Sequence, residues 1–442
     1  MVLMNSGILS ALGGLGLFLL GMVVMTGGLK EMAGDSIRRT IARFTTSPAS
    51  GVATGAVITA LIQSSSATTV TAVGFAGAGL LTLSQSLGII FGANIGTTIT
   101  GWIVAVFGFK IKLGMIALPL VLIGILTHLF FKGRLAATGL ALAGFGLFFV
   151  GIDLLQDGMA GLHEFVTHDS FPPDTWFGRL LLVFIGVAIT LVTQSSSAGV
   201  AMALAAVHTG TLSFPQAAAM VIGFDVGTTV TAAIAAVGGP VEARRVGLAH
   251  VVYNIMTGIG AFLLLTPYVW ACDALLDGGA AGNSELALVG FHTTFNGLGV
   301  LAALPFTNRF AELIERLIPE RSDEVVRRLN PSLYETPSVA IVAARATLVD
   351  ITRQLLLLMR EEFSTIRVSE TGAEDYEQVR TTLSQVSQFL KGVDCKQDEK
   401  LTVRLADLLL VVDHLRRLTR RCDEFDRLKA AHEVPILDAY VS

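Results

Sequence analysis

The sequence predicts an all-α polytopic membrane protein: two inverted repeats, each with three spans and a re-entrant helical hairpin, then one extra span and a soluble helical tail. Three observations carry this. Of 442 residues, 52% are hydrophobic and only 15% charged, with a mean hydropathy of +0.67, too apolar for a soluble chain of this length. Seven apolar runs reach the roughly 20 residues that a helix needs to cross a bilayer. Residues 63–100 also align on 194–231 at a constant offset of 131 without a gap, with 14 of 38 positions identical. The identities fall on polar residues and glycines while apolar positions drift, so shared lipid-like composition does not explain them.

In chain order, the predicted spans are 7–28, 85–108, 112–131, 135–157, 215–237, 246–270 and 286–306. The first repeat covers about 7–131, the second about 135–270, and 286–306 is the extra span, all within a transmembrane domain of residues 1–306. Gly16-Leu17-Phe18 and Gly21 echo Gly146-Leu147-Phe148 and Gly151, so the repeat extends back to an opening helix. Segments 48–83 and 176–214 differ from the other runs. In each, a polar stretch divides the apolar run into two arms too short to span, as in the discontinuous helices of transporters. Residues 31–46, with Ile37, Ile41 and Phe44 interleaved with Arg38, Arg39 and Arg43, read as a short helix along the membrane interface. The start of the chain lacks a basic region, so the first apolar run is expected to remain as a helix.

Beyond 306 the composition changes to that of a soluble segment. Pro331 and Pro337 mark a linker, 307–336, and the tail, 337–442, carries helix-like runs at 337–366, 374–393 and 398–432. Leu348, Ile351, Leu355 and Leu358 recur at helical spacing in the first, and Leu405, Leu408, Leu409, Leu415 and Leu418 in the last. A three-helix bundle or helical hairpins would bury those stripes. Cys272, Cys395 and Cys422 have no metal-type spacing. No phosphate-binding loop, dinucleotide fingerprint or paired-cysteine zinc motif is present. The net charge of −4 gives no footprint for nucleic acid.

Orientation follows from the basic residues. One face collects Lys30, Arg38, Arg39, Arg43, Lys132, Arg134, Arg244 and Arg245, which places the N-terminus outside and the tail in the cytoplasm of a cell whose inner (plasma) membrane holds the spans. Three spans per repeat, an odd number, turn the second repeat upside down relative to the first.

The chemistry lies in the conserved letters of the repeat. Gln63-Ser64-Ser65-Ser66 and Gln194-Ser195-Ser196-Ser197 place four hydrogen-bonding side chains in a row at membrane depth, which is costly unless they face a cavity, a ligand or one another. At a hairpin tip, the first amides of the second arm carry partial positive charge and suit an anion. Serine hydroxyls donate to anionic oxygens, and their lone pairs hold a hard cation. The second clusters, Asn94, Thr97 and Thr98 against Asp225, Thr228 and Thr229, offer oxygen ligands of the kind alkali cations prefer, in spans expected to be broken by paired glycines. No His, Cys or Glu lies in either cluster, which argues against a transition metal. Asp225 is the one ionisable member, able to hold a cation or exchange a proton. Small polar residues also serve close helix packing, but two symmetric pairs of motifs exceed that need. A serine nucleophile lacks a His or Lys base at repeat-equivalent spacing, so no catalytic residues are assigned. His250 to Asn254 and His292 to Asn296 share a His-x-x-aromatic-Asn pattern, read equally as helix packing or as neighbours of the site.

These motifs resemble those of the type II sodium/phosphate cotransporters and their bacterial relatives, over residues 7–306. The resemblance implies sodium-coupled transport of inorganic phosphate, with the inverted repeats placing both hairpin tips around one substrate site by alternating access. It carries Gln63, Ser64, Ser65, Ser66, Gln194, Ser195, Ser196 and Ser197 over as phosphate contacts, and Asn94, Thr97, Thr98, Thr228 and Thr229 as sodium contacts. Asp225 stands where the family often has Asn, leaving sodium or proton coupling open. The first repeat has 111–122 where the second has the His250 motif, so the symmetry fails there. The tail looks like the PhoU-related helical domain of bacterial members. The resulting expectation is a symporter of sodium and phosphate in a lipid bilayer, with no cofactor and with homo-oligomerisation left open. The alternatives are a proton-coupled or other-oxyanion transporter, and a phosphate sensor that does not transport.

Overall fold

The computed structural model describes residues 2–110, 114–163, 165–319, 329, 333–334, 336–364, 371–395 and 398–432. The start of the third expected span, part of the linker and the end of the tail lie outside these residues. The chain divides into two compact units, one of 1–73, 83–237 and 244–317, the other of 74–82, 238–243 and 318–442.

In the first unit, α1 (Val2–Ala33) is followed by the short α2 (Asp35–Phe44), in which Ile41 is buried and Arg38, Arg39 and Phe44 are not. A first hairpin follows, α3 (Pro48–Ile62) and α4 (Ser65–Gly77), then α5 (Leu83–Ile103), which runs into a π-helical turn over Val104–Lys110, and α6 (Gly114–Phe130). The second half opens with α7 (Arg134–His163), continues with a hairpin of α8 (Trp176–Thr193) and α9 (Ser196–His208), then α10 (Phe214–Gly227), α11 (Thr229–Ala236) and α12 (Val241–Leu275). The one-turn α13 (Gly279–Gly282), α14 (Ser284–Ala303) and α15 (Thr307–Leu317) complete the unit.

Among the described residues, seven helices are long and apolar enough to cross a membrane. They match the expected spans except for one exchange: the hairpin arm α8, with 18 residues, is in the set, and α6, with 17, falls just short. At about 1.5 Å per residue, α3, α4 and α9, with 15, 13 and 13 residues, each fall well short of a hydrocarbon core about 30 Å thick.

Glycine positions set the helix packing. On α1, Gly14, Gly21 and Gly28 meet the backbone of α7 at Leu155, Phe148 and Ala141, so the two helices run antiparallel; a Cβ added at Gly21 would lie 2.3 Å from Phe148 N. Gly144, Gly151 and Gly158 of α7 make the reciprocal approach to α1. Such small-residue seams let backbones touch where lipid gives no hydrophobic drive to associate. Gly21→Val is accordingly expected to cost about 3 kcal/mol or more through overpacking, seen as a lowered melting temperature of the purified protein in detergent. An unchanged melting temperature would show that the seam tolerates a gap.

The repeat recurs in space. Gly55, Gly92 and Gly96 close the α3–α5 pair, with an added Cβ falling 2.2 Å from Ile89 O, 2.0 Å from Val52 O and 2.6 Å from Ala56 O. Their equivalents Gly186, Gly223 and Gly227 close α8 on α10 at 2.3 Å from Met220 O, 2.1 Å from Val183 O and 2.8 Å from Thr190 Cβ. This corrects one expectation: the glycines of the first cluster do not break their span, since α5 continues through residues 92–100. They admit a neighbouring helix instead. Only the second cluster is interrupted, at Thr228 between α10 and α11. One departure from symmetry has a clear cause. Thr59 Oγ1 donates to Thr68 Oγ1 at 2.9 Å across the first hairpin, but Thr190 Oγ1 is buried without a partner among the described residues, because Thr68 is replaced by Gly199, whose face is filled by the Phe224 ring.

The second unit holds α16 (Pro337–Ser364), α17 (Thr371–Lys391) and α18 (Glu399–His432). They pack around Leu348, Ile351, Leu355, Tyr376, Leu383 and Leu390, with Leu358, Leu405, Leu408 and Leu409 at the margin. Leu418 faces outward. Cys395 is buried here, and burial, with Asp394 and Asp398 nearby, pushes its thiol above the usual range.

Candidate functional site

Each hairpin turns through a glutamine in the left-handed conformation: Gln63 at φ 53° and Gln194 at φ 54° are the positive-φ residues other than glycine among those described. This conformation costs an L-residue about 1–2 kcal/mol, and here the side chain holds the turn. Gln63 Nε2 donates to Ala60 O at 2.5 Å and its Oε1 accepts from Thr100 Oγ1 at 2.8 Å. Gln194 does the same with Leu191 O at 2.6 Å and Thr231 Oγ1 at 3.3 Å. Thr100 and Thr231, the last letters of the aligned block, were not among the expected site residues. Their exact repetition at offset 131 was the available signal.

The serine after each glutamine caps the next arm: Ser64 Oγ accepts from Ala67 N and Ser195 Oγ from Ala198 N, both at 3.2 Å. Ser195 Oγ also donates to Met22 Sδ at 3.7 Å. The hydroxyls of Ser65, Ser66, Ser196 and Ser197 make no hydrogen bond to protein among the described residues, which leaves them at the N-termini of α4 and α9 for a ligand.

All eight tip residues line one cavity of about 370 Å³, together with Met22, Val23, Thr26, Gly27 and Lys30 of α1 and Thr228. That volume exceeds a water's share of roughly 30 Å³ many times over. No carboxylate is among the lining residues. The α1 contribution escaped sequence reading, which ended the first span at residue 28 and used Lys30 only to orient the chain.

The clusters behave differently from the tips. Each threonine hydroxyl donates to a carbonyl three or four residues back: Thr97 to Ala93 O and Thr98 to Ile95 O, both at 2.8 Å, Thr228 to Phe224 O at 2.9 Å and Thr229 to Val226 O at 2.8 Å. A hydroxyl whose proton is committed can still present lone pairs to a cation.

Asn94 and Asp225 belong to one buried network. Asn94 Nδ2 donates to Asn254 Oδ1 at 2.5 Å, and Asn254 Nδ2 donates to Asp225 O at 3.1 Å. Asn254 Nδ2 is also 3.3 Å from His250 Nε2. The Asp225 carboxylate accepts from Asn296 Nδ2 at 2.8 Å, and His292 Nε2 lies 3.1 Å from the same oxygen. Both His-x-x-aromatic-Asn segments, on α12 and α14, thus converge on this acid. His292 and Asn296 are 1% and 0% exposed, and His250 Nδ1, His292 Nδ1 and Asn296 Oδ1 have no hydrogen-bond partner among the described residues. No cluster of three His, Cys, Asp or Glu is present among the described residues. Asp225 and the cavity-lining Thr228 are three residues apart on one helix turn, a spacing of about 5–6 Å between Cβ atoms.

The family model described as Na+/Pi-cotransporter matches residues 17–157 and 177–302. YqeW of Bacillus subtilis (strain 168), described as uncharacterized, is 30% identical over 304 residues, 69% of this chain and 96% of that protein. YjbB of Escherichia coli (strain K12), described as a putative inorganic phosphate export protein, is 27% identical over 354 residues, 77% of this chain and 62% of its own length. The chain therefore spans less than two thirds of that relative. Sodium-dependent phosphate transport protein 2C of Homo sapiens is 32% identical over 107 residues, 23% of this chain and 18% of that protein. No solved structure matches the chain.

Proposed function

The chain belongs to the Na+/Pi-cotransporter family, and from that premise we propose that it is a sodium-coupled secondary transporter of inorganic phosphate. The family is one of transporters, not enzymes. The observation that carries the reading is the shared cavity: both Gln-Ser-Ser-Ser tips line it without a carboxylate, while the acid Asp225 sits in a separate network one helix turn away. Anion and cation thus have distinct places of fitting chemistry on adjoining turns of α10.

In this mechanism phosphate sits between the N-termini of α4 and α9, receiving backbone amides and the hydroxyls of Ser65, Ser66, Ser196 and Ser197. Gln63 and Gln194 shape the tips. Sodium is held near Asp225 and Asn94 with threonine oxygens, where a carboxylate offsets its charge away from water. A cation bound on α10 adjusts Thr228 and so couples to the anion, and by linkage each ligand tightens the other. The antiparallel pairing of α1 with its repeat equivalent α7 supports inverted repeats and alternating access, and the basic face supports a cytoplasmic tail. Net direction in the cell follows the gradients, so the export named for YjbB and uptake are both open to such a carrier.

A proton-coupled reading draws on the His292–Asp225 hydrogen bond. Replacing sodium by choline in phosphate-uptake measurements separates the two: sodium coupling requires the uptake to collapse, proton coupling requires it to persist.

A further inference from the structure

We propose that Lys30 is a substrate-binding residue, its ammonium supplying the counter-charge for the anion held between the two hairpin tips. The inference rests on the reading of the cavity as a phosphate site and extends that site to α1, which carries neither polar motif of the repeat. Three observations converge on it. Met22, Thr26 and Lys30 recur every four residues and so form one stripe of α1, and all three line the cavity. Gly14, Gly21 and Gly28, on another side of the helix, are locked against the α7 backbone, which fixes the rotation of α1 and keeps that stripe on the cavity. Lys30 is also the one charged side chain among the lining residues, and it makes no ion pair among the described residues.

Lys30 is solvent-exposed where it lines the cavity, so its ammonium is free to meet an anion that enters there. The hydroxyls of Ser65, Ser66, Ser196 and Ser197 line the same cavity and can donate to the same anion, but being neutral they offer no counter-charge. Lysine suits a carrier in particular. Its compact ammonium on a flexible stem acts as a point charge, without the bidentate fork with which arginine grips an oxyanion, and the ligand must leave again. The shared chemistry, a phosphate oxyanion, has two sources: free inorganic phosphate, or a lipid headgroup reached by a side chain that snorkels to the interface. The tip geometry favours the free ion, because the cavity that Lys30 lines is built from both repeats.

The test uses the full-length protein in vesicles of neutral phosphatidylcholine, with labelled phosphate flux measured against phosphate concentration under a sodium gradient. Lys30→Gln should raise the half-saturating phosphate concentration roughly tenfold, equivalent to about 1.4 kcal/mol, with little change in maximal flux. Lys30→Arg should recover most of the loss. Lys30→Cys should behave like the Gln variant, regain affinity after an aminoethyl thiosulfonate adds an ammonium, and fail to regain it after the sulfonatoethyl reagent adds an anion. Wild-type protein treated with both reagents is the control, since Cys272, Cys395 and Cys422 are buried. A lipid-anchoring lysine gives another pattern: maximal flux or vesicle incorporation falls, half-saturation stays put and anionic lipid modifies the effect. That pattern, an unchanged half-saturation in Lys30→Gln, or equal effects of the two reagents would overturn the assignment. Absence of saturable phosphate flux in the wild type would instead overturn the phosphate reading itself, and the Lys30 assignment with it.

Discussion

Ser66→Ala combined with Ser197→Ala is expected to weaken phosphate binding by about a hundredfold or more. A hydrogen bond to a charged partner contributes about 1.5–3 kcal/mol, so removing two costs at least about 3 kcal/mol, or roughly two orders of magnitude in affinity. These hydroxyls are chosen because they occupy equivalent places on the two tips, line the cavity and have no protein partner among the described residues. Their removal breaks no bond within the fold. The capping serines behave otherwise. Ser64→Ala and Ser195→Ala each remove an acceptor from a helix N-terminus, costing about 1 kcal/mol of stability, and are expected to lower the melting temperature more than they alter binding. Equilibrium binding of labelled phosphate to purified protein, with melting measured alongside, distinguishes the pairs. Wild-type affinity in the Ser66/Ser197 double variant would remove the tips from the site.

Asp225→Asn should raise the half-saturating sodium concentration at least tenfold while leaving phosphate binding near normal at saturating sodium. The amide keeps an oxygen to accept from His292 and Asn296, so the fold is preserved and only the charge is lost. Asp225→Leu is the severe counterpart, because it strands two fully buried donors, each costing about 1–3 kcal/mol, and should reduce the yield of folded protein. Sodium titration of phosphate flux in the Asn variant decides the matter. Unchanged sodium dependence would leave Asp225 as a structural acceptor for α14.

Part of this arrangement is legible in the chain because it is written twice. The offset of 131 that aligns Gln63 with Gln194 also relates Gly92 on Val52 to Gly223 on Val183, so repetition in the sequence became repetition of contacts. Composition and run length were enough for six of the seven spans, since a helix in lipid must be long and apolar, but they did not separate α6 from the apolar arm α8. Other features had no local signature. A left-handed glutamine is a backbone property, and only the bonds to Thr100 and Thr231 explain why a non-glycine residue is tolerated there. The paired glycines of the first cluster looked like helix breakers, yet their lack of a side chain was used to seat α3. The convergence of His292, Asn296 and Asn254 on Asp225 joins helices far apart in sequence, which periodicity does not encode. Lys30 was hidden by its type: a lysine at the end of an apolar run reads as a flank, and only the continuation of α1 to Ala33 placed it in the cavity.

The most direct test of the central claim is flux of labelled phosphate into proteoliposomes containing the purified full-length protein, with an inward sodium gradient against an equal choline gradient. A sodium-coupled carrier should accumulate phosphate above the external concentration only with sodium, and the accumulation should collapse when a sodium ionophore dissipates the gradient. Phosphate that binds but never crosses, or crosses equally well in choline, would contradict it.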